Sequence, residues 1–324
     1  MLPQRVIKNM KDKEDENMSL KYKKWRDLSV NPFSIKFKKI VLLDVYSYPV
    51  GQNDVIECDC EYAKKKTKCF IKIERSKMAC FSTEVENVNT LYEKGFYDKC
   101  PRIIESGDIN NKKYIVLEKI KGFKISELLR QGKKIDMNRY LFDYGRELAR
   151  IHKIPISDFN KAKQRIINDV PNEENYGEFD SVIKKYIKWL VNNKPSYKMD
   201  TFIHGDFHYS NILWNKDKIS GVLDFEYSGI GFKEQDIAWS IVLRPCQLFL
   251  DTINEINRFL EGYKEDNTYN EALLKWCLVN AFCHFYLMNS DEKYRKKVIT
   301  LLDTVNKSHL WYMCGKIMEV AYEC

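Results

Sequence analysis

The sequence predicts an α+β chain with a small antiparallel, β-rich N-terminal lobe and a larger, mostly helical C-terminal lobe. Residues 40–120 carry short apolar, β-branched and aromatic runs, broken by one stretch with helical spacing. After Gly122 the apolar residues recur at three- and four-residue steps instead. The scale fits as well: 324 residues, 44% of them hydrophobic and 13% aromatic, supply sizeable cores and argue against disorder.

Residues 1–33 come first. They are mostly charged with little periodicity and are expected to form a charged arm or a weak first helix. The run "KIVLLDVYSYPV" (39–50) then reads as a strand. "DVIECDCEY" (54–62) and "KCFIKIE" (68–74) alternate and are joined by a Lys-rich turn, which makes three antiparallel strands. In "STEVENVNTLYEKG" (82–95), Val85, Val88, Leu91 and Tyr92 share a helical face and Gly95 suits the helix end. A turn at "NN" precedes the strand "KYIVLEKI" (113–120), so 40–120 reads β-β-β-α-β-β.

Beyond a short connection near 119–122, residues 136–152 place Met137, Leu141, Tyr144, Leu148 and Ile151 on one stripe, with Asp136 as N-cap. Residues 180–193 and 269–289 are helical too, the second apolar nearly all round and therefore buried. The expected boundaries are an arm over 1–33, an N-lobe over 34–121 and a C-lobe over 122–324. A cleft between two lobes is a common place for a ligand.

The formal net charge is +8. It reads first as a solvated Lys-rich surface, and second as attraction for an anionic ligand such as a nucleotide. No basic stripe interleaved with exposed aromatics supports a nucleic-acid partner. The first twenty residues lack an apolar leader, and no run approaches the roughly 18 apolar residues of a membrane span. The expectation is a cytoplasmic protein with no membrane partner, its ten cysteines reduced. On a strand, Cys58 and Cys60 would point to one face as buried apolar thiols, not as metal ligands.

The stretch "FIHGDFHYSNILWNKDKISGVLDFE" (202–226) carries the chemistry. "NILW" and "ISGVLDF" read as two strands joined by the polar turn "NKDK". In that hairpin Asn211 and Asp224 stand opposite each other at the open end, with paired Cβ atoms roughly 5 Å apart. Two hard oxygen donors that close suit Mg²⁺. Asp206, on the loop entering the hairpin, is free to orient a hydroxyl and accept its proton. These are the parts of a phosphoryl-transfer site. Such a site also needs a strand lysine held by a helix glutamate. Lys72 lies mid-strand among Phe70, Ile71 and Ile73, and Glu84 opens the next helix, with Glu86 as the alternative partner.

Four segments then resemble the aminoglycoside phosphotransferase family and its choline-kinase-like relatives: "FIKIE…STEVENVNTLYEKG", "RIIESG…YIVLEKIKG", "GRELARIHKIP" and "FIHGDFHYSNILW…GVLDFEYSGIGFKEQDIAW". The resemblance implies a bilobal protein-kinase-like fold and transfer of the γ-phosphoryl group of ATP (or GTP), with Mg²⁺, to a small-molecule hydroxyl. By position, Asp206 resembles the catalytic base, Asn211 and Asp224 the Mg²⁺ ligands, and Lys72 and Glu84 the phosphate-positioning pair. Glu118 and Ile120 fall on the hinge that meets the adenine. His208 falls where a basic residue sits beside the phosphate, and Asp236 resembles a brace of the catalytic loop. Gly51 and Asn53 lie where a phosphate-covering loop would be, although "SYPVGQNDVIE" has one glycine and no G-x-G-x-x-G. Asp224 is followed by Phe225 and Glu226, where protein kinases have Phe-Gly, and no H-R-D or A-P-E motif occurs.

The acceptor implied is aminoglycoside-like, for which Glu226, Glu234, Asp251, Glu255 and Glu261 could line an acidic cleft. The alternatives are choline or ethanolamine, with Tyr227 and Trp239 as cage aromatics, or a metabolite such as homoserine or a sugar. A nucleotide-binding pseudokinase scaffold is the non-enzymatic reading. A monomer or homodimer is expected.

Overall fold

The computed structural model describes residues 27–46, 52–130, 132, 135–163, 165 and 168–307. Most of the expected arm, the end of the first strand run and Gly51 therefore lie outside the described residues. The described residues divide into two compact units, one of residues 27–122 with 220–227, the other of 123–219 with 228–307.

The first unit holds a five-stranded antiparallel sheet in the order β1-β2-β3-β5-β4. The strands are β1 (Ile40–Val45), β2 (Asp54–Tyr62), β3 (Lys65–Ile73), β4 (Ile103–Ile109) and β5 (Lys112–Glu118). Helix α1 (Phe81–Glu93) connects β3 to β4, which gives the β-β-β-α-β-β order. Two-residue turns close two of the hairpins, at Ala63-Lys64 and Asn110-Asn111, with positive φ at all four residues. Such turns match the right-handed twist of paired strands. Ile56, Cys58, Cys60, Cys69 and Ile71 form one buried cluster. The three thiols sit together, Cys69 Sγ being 3.2 Å from Cys58 Sγ and 3.0 Å from Cys60 Sγ.

The second unit is mainly helical. Helices α2 (Ile125–Arg130), α3 (Met137–Ile151) and α4 (Ser181–Asn192) precede the functional loop. Helices α5 (Lys233–Ile241), α6 (Ile253–Asp266), α7 (Glu271–Leu287) and α8 (Glu292–Lys307) follow it. Asp136 caps α3, its side chain accepting from Arg139 N–H. Helices α3 and α6 cross at two glycines: a Cβ at Gly145 would lie 1.9 Å from Phe259 O, and one at Gly262 1.9 Å from Phe142 O. Helix α7 is buried on nearly every side, as a sequence apolar nearly all round predicts.

Short strands frame the loop that carries Asp206. Strand β6 (Thr201–Ile203) pairs with β9 (Gly229–Gly231), and β7 (Ile212–Asn215) pairs with β8 (Lys218–Val222). The turn between β7 and β8 is shorter than "NKDK" suggests, only Lys216 and Asp217 with positive φ. The second strand also stops earlier than "ISGVLDF" suggests. It ends at Val222, whose N–H donates to Lys99 O, and Asp224 lies beyond it with φ of 71°. Aspartate is among the few residues that tolerate this region, which turns the chain out of the strand. Among the described residues, no helix is long and apolar enough to cross a membrane.

Candidate active site

The first unit builds a buried charge cluster around Lys72. Strand β3 lies between β2 and β5, with Lys72 in register with Val55 and Ile115. Its side chain runs past Phe81, with Nζ 5.1 Å from the ring centre. Nζ meets Glu84 Oε2 at 2.5 Å and Asp224 Oδ1 at 2.8 Å, with Lys72 7% and Glu84 2% exposed. Glu84 therefore takes the lysine, and Glu86 lines a groove beside Ser82 and Val85.

Burial works to lower the Lys72 pKa, but Asp224, Glu84 and Glu226 outweigh it and hold the amine well above its ordinary value. Burial pushes the Glu84 carboxyl up to about 7, with Lys72 pulling the other way and Asp224 adding to the rise. A lysine shared by two carboxylates is thus fully charged and fixed in place.

Asp224 is held by its neighbours in the same unit. Phe225 is fully buried with its ring 6.2 Å from that of Tyr97. Glu226 accepts at Oε2 from Cys80 N–H at 3.3 Å. Cys80 is the N-cap of α1 and has no side-chain cap bond of its own, and Glu226 meets an N–H at that helix end. A non-glycine residue in left-handed backbone is a common signature of functional positions.

The second unit organises the loop from His204 to Asn211. Asp236, in the first turn of α5 and 1% exposed, accepts from His204 N–H at 2.8 Å and Gly205 N–H at 3.1 Å. His152 Nε2 lies 3.2 Å from the same carboxylate, and its Nδ1 lies 2.7 Å from Tyr263 Oη. Burial alone would raise the Asp236 pKa, but His152, His204 and these N–H groups draw it below the usual carboxylate range. This is the expected brace, and it extends further than the sequence suggested, through His152 to Tyr263.

Asp206 is 15% exposed. Its Oδ1 accepts from Trp239 Nε1–H at 2.8 Å and pairs with Arg165 Nη2 at 3.2 Å. Asn211 Nδ2 donates to Asp206 O at 3.0 Å and lies 3.4 Å from Oδ2, which leaves the amide oxygen of Asn211 for another partner. His208 caps the turn at Tyr209–Asn211 by accepting from Ser210 N–H, with Nε2 3.8 Å from Asp206 Oδ2.

The remaining candidates are placed as follows. Asn53 Oδ1 accepts from Arg75 N–H and Ser76 N–H, both at 3.1 Å, and so ties the chain after β3. Glu118 closes β5, its N–H donating to Arg102 O. Ile120 packs where a Cβ on Gly221 would stand, 3.0 Å away. Of the five acids expected of an acidic acceptor cleft, Glu226 caps α1 as described. Glu234 accepts from Asn270 N–H, Asp251 pairs with Lys297, Glu255 accepts from Asp251 N–H, and Glu261 pairs with Arg258.

The sequence did not show the contacts of Arg165 and Trp239 with Asp206, although Trp239 was named as a cage aromatic. Arg165 lies in a stretch without periodicity and offers no pattern. Trp239 did have a signal, since it sits three residues after Asp236 and so shares its helix face.

Known proteins bear on this arrangement. The family model described as "Phosphotransferase enzyme family" matches residues 72–273, more than half of the chain. A probable aminoglycoside 3'-phosphotransferase of Lactococcus lactis subsp. lactis (strain IL1403) is 26% identical over 84 residues, 26% of this chain and 31% of that protein's length. In structure, the chain is similar to a streptomycin-ATP-APH(2")-IIa ternary complex, with a TM-score of 0.50, 12% identity and 93% and 96% of the two chains covered. A putative fructosamine-3-kinase from Haemophilus somnus 129PT gives a TM-score of 0.47 at 18% identity, covering 83% of this chain and 90% of that one. The structural likeness gives the α+β, kinase-like fold. The family match spans Lys72, Glu84, Asp206, Asn211, Asp224 and Asp236, and the chain belongs to the phosphotransferase enzyme family.

Proposed function

We propose that this phosphotransferase moves the γ-phosphoryl group of ATP (or GTP) to a hydroxyl of a small molecule. The observation that carries the reading is Lys72, buried and shared between Glu84 and Asp224. A cation so fixed is suited to nucleotide phosphates, whose charge must be met without reorganisation. Asp206 is the base that orients the acceptor hydroxyl and takes its proton. Trp239 and Asn211 hold its carboxylate in one orientation. His208 supplies a donor beside it.

The donor set also suits Mg²⁺. Asn211 and Asp224 both offer hard oxygens of the kind Mg²⁺ takes, and Mg²⁺ needs few protein ligands, filling its remaining sites with water and phosphate. When bound, the ion neutralises charge on the phosphates. Lys72 would meet the α/β-phosphates, and the backbone of 118–120 would meet the adenine. Most of the catalysis is then positioning and electrostatics.

An aminoglycoside-like acceptor is the reading that the name of the Lactococcus relative supports. A second reading, a hydroxylated metabolite such as homoserine or a sugar, is favoured by one observation. Arg165 and Arg244 both stack on Trp239, each with its guanidinium carbon 4.7 Å from the ring centre, and Trp239 holds Asp206. The experiment is nucleotide turnover against a panel of aminoglycosides, choline, ethanolamine, homoserine and sugars, with ATP and GTP, read as ADP or GDP release. Release with one of these acceptors supports the kinase reading. Tight Mg-nucleotide binding without release for any acceptor supports a scaffold instead.

A further inference from the structure

We propose that Arg165 is a positioning residue for the base, acting on Asp206 both directly and through Trp239. The inference rests on the small-molecule kinase reading and deepens it. Two groups converge on one oxygen of Asp206: Oδ1 accepts from Trp239 Nε1–H at 2.8 Å and pairs with Arg165 Nη2 at 3.2 Å. Oδ2 lies 3.4 Å from Asn211 Nδ2 and 3.8 Å from His208 Nε2. Arg165 Nε and Nη2 are buried, so the pairing with Asp206 offsets the cost of taking that charge out of water. Asp206, Arg165 and Trp239 all belong to the second unit.

Trp239 aims its N–H at Oδ1 only while its ring keeps one orientation. The guanidinium carbons of Arg165 and Arg244 each lie 4.7 Å from the ring centre, and the Phe285 ring lies 5.8 Å away. Arg244 is tied to the end of α5, donating to Trp239 O at 2.7 Å and to Val242 O at 3.3 Å. Arg165 differs from Arg244 in touching the ring and the carboxylate at once. A planar guanidinium can stack on an aromatic face and pair with a carboxylate together, a combination that a lysine ammonium does not reproduce. Helix α5 thus holds the loop at two points. Asp236 accepts from His204 and Gly205 N–H, and Trp239, three residues on, holds the Asp206 side chain. Arg165 comes from outside both loop and helix and secures the second point.

The chain has six tryptophans, and ¹⁵N labelling of their indoles on the full chain gives a readout that needs no acceptor. Trp239→Phe identifies the Trp239 signal. In Arg165→Ala that signal is expected to shift and its N–H to exchange with solvent about tenfold faster, as befits a weakened bond to a charged group, while the other indole signals hold. Turnover is read as ADP release from MgATP with whichever acceptor of the panel above is best. There kcat is expected to fall about tenfold in Arg165→Ala, with KM for ATP unmoved. Arg165→Lys, which keeps the charge but not the plane, should recover part of both readouts. Where Arg165→Ala does not fold, Arg165→Gln is read in its place. A Trp239 signal that neither shifts nor exchanges faster overturns the proposal. So does a loss of thermal stability with kcat per folded molecule unchanged, which would make Arg165 a structural residue alone. If the indole signal responds but no acceptor yields ADP, the kinase reading fails while the hold of Arg165 on the carboxylate stands.

Discussion

Lys72 of β3 and Asp224, beyond the end of β8, form an ion pair of 2.8 Å within one compact unit, although 152 residues separate them in sequence. The return of residues 220–227 to the first unit makes this possible, and Val222, Phe225 and Glu226 are the anchors on either side of Asp224. Lys72 joins Asp224 to Glu84, so the two carboxylates depend on the lysine between them. Lys72→Met is expected to destabilise the protein by about 3 kcal/mol, because it strands the buried Glu84 carboxylate. Urea unfolding of Lys72→Met, Glu84→Gln and the double variant checks this. The double variant should be more stable than the sum of the single losses predicts, and simple additivity would contradict the pairing.

Trp239 should act on catalysis through Asp206. Trp239→Phe keeps most of the aromatic surface but removes the N–H that donates to Asp206 Oδ1. A hydrogen bond to a charged group contributes about 1.5–3 kcal/mol, so kcat is expected to fall roughly tenfold or more while nucleotide affinity stays constant. A kcat at the wild-type value would show that the bond does not position the base.

The Asp236 brace predicts a pH dependence with a definite sign. Its folded pKa is depressed, so its contribution is present above the unfolded value near about 4 and is lost as pH falls below it. In denaturant titrations, wild type should exceed Asp236→Asn in stability at pH 7 by about 3 kcal/mol or more, and the gap should narrow on going from about pH 5 to pH 3. A gap that stays constant with pH would contradict the account.

Helices α3 and α6 approach too closely for any side chain at their crossing. Gly145→Ala puts a carbon against Phe259 O, and the backbone must move to admit it. A loss of about 2 kcal/mol or more is expected, read as a shift of the denaturation midpoint without change of slope.

The legible parts of the sequence are those where a residue departs from its local pattern. Lys72 stands out because a lysine interrupts an alternating apolar strand, and Asp136 because it precedes a clean helical stripe. Asn211 and Asp206 were legible by their spacing before a short strand, and the structure joins them through the Asn211 amide. The end of β8 was not legible. "ISGVLDF" continues the apolar alternation past Val222, and the left-handed turn at Asp224 leaves no mark in that pattern. Strands β6 and β9 have three residues each, too few for periodicity to show. Arg165 was invisible because its partners, Asp206 and Trp239, come to it only through the fold of the second unit.

The most direct test of the central claim is Asp206→Asn, assayed for turnover and for Mg-nucleotide affinity on the same preparation. The account predicts a fall in kcat of about 10²–10⁴-fold with nucleotide affinity unchanged, the loss expected when a positioned base is removed. Turnover of the acceptor at the wild-type rate would show that Asp206 is not the base, and with it the assignment of the loop from His204 to Asn211 would fall.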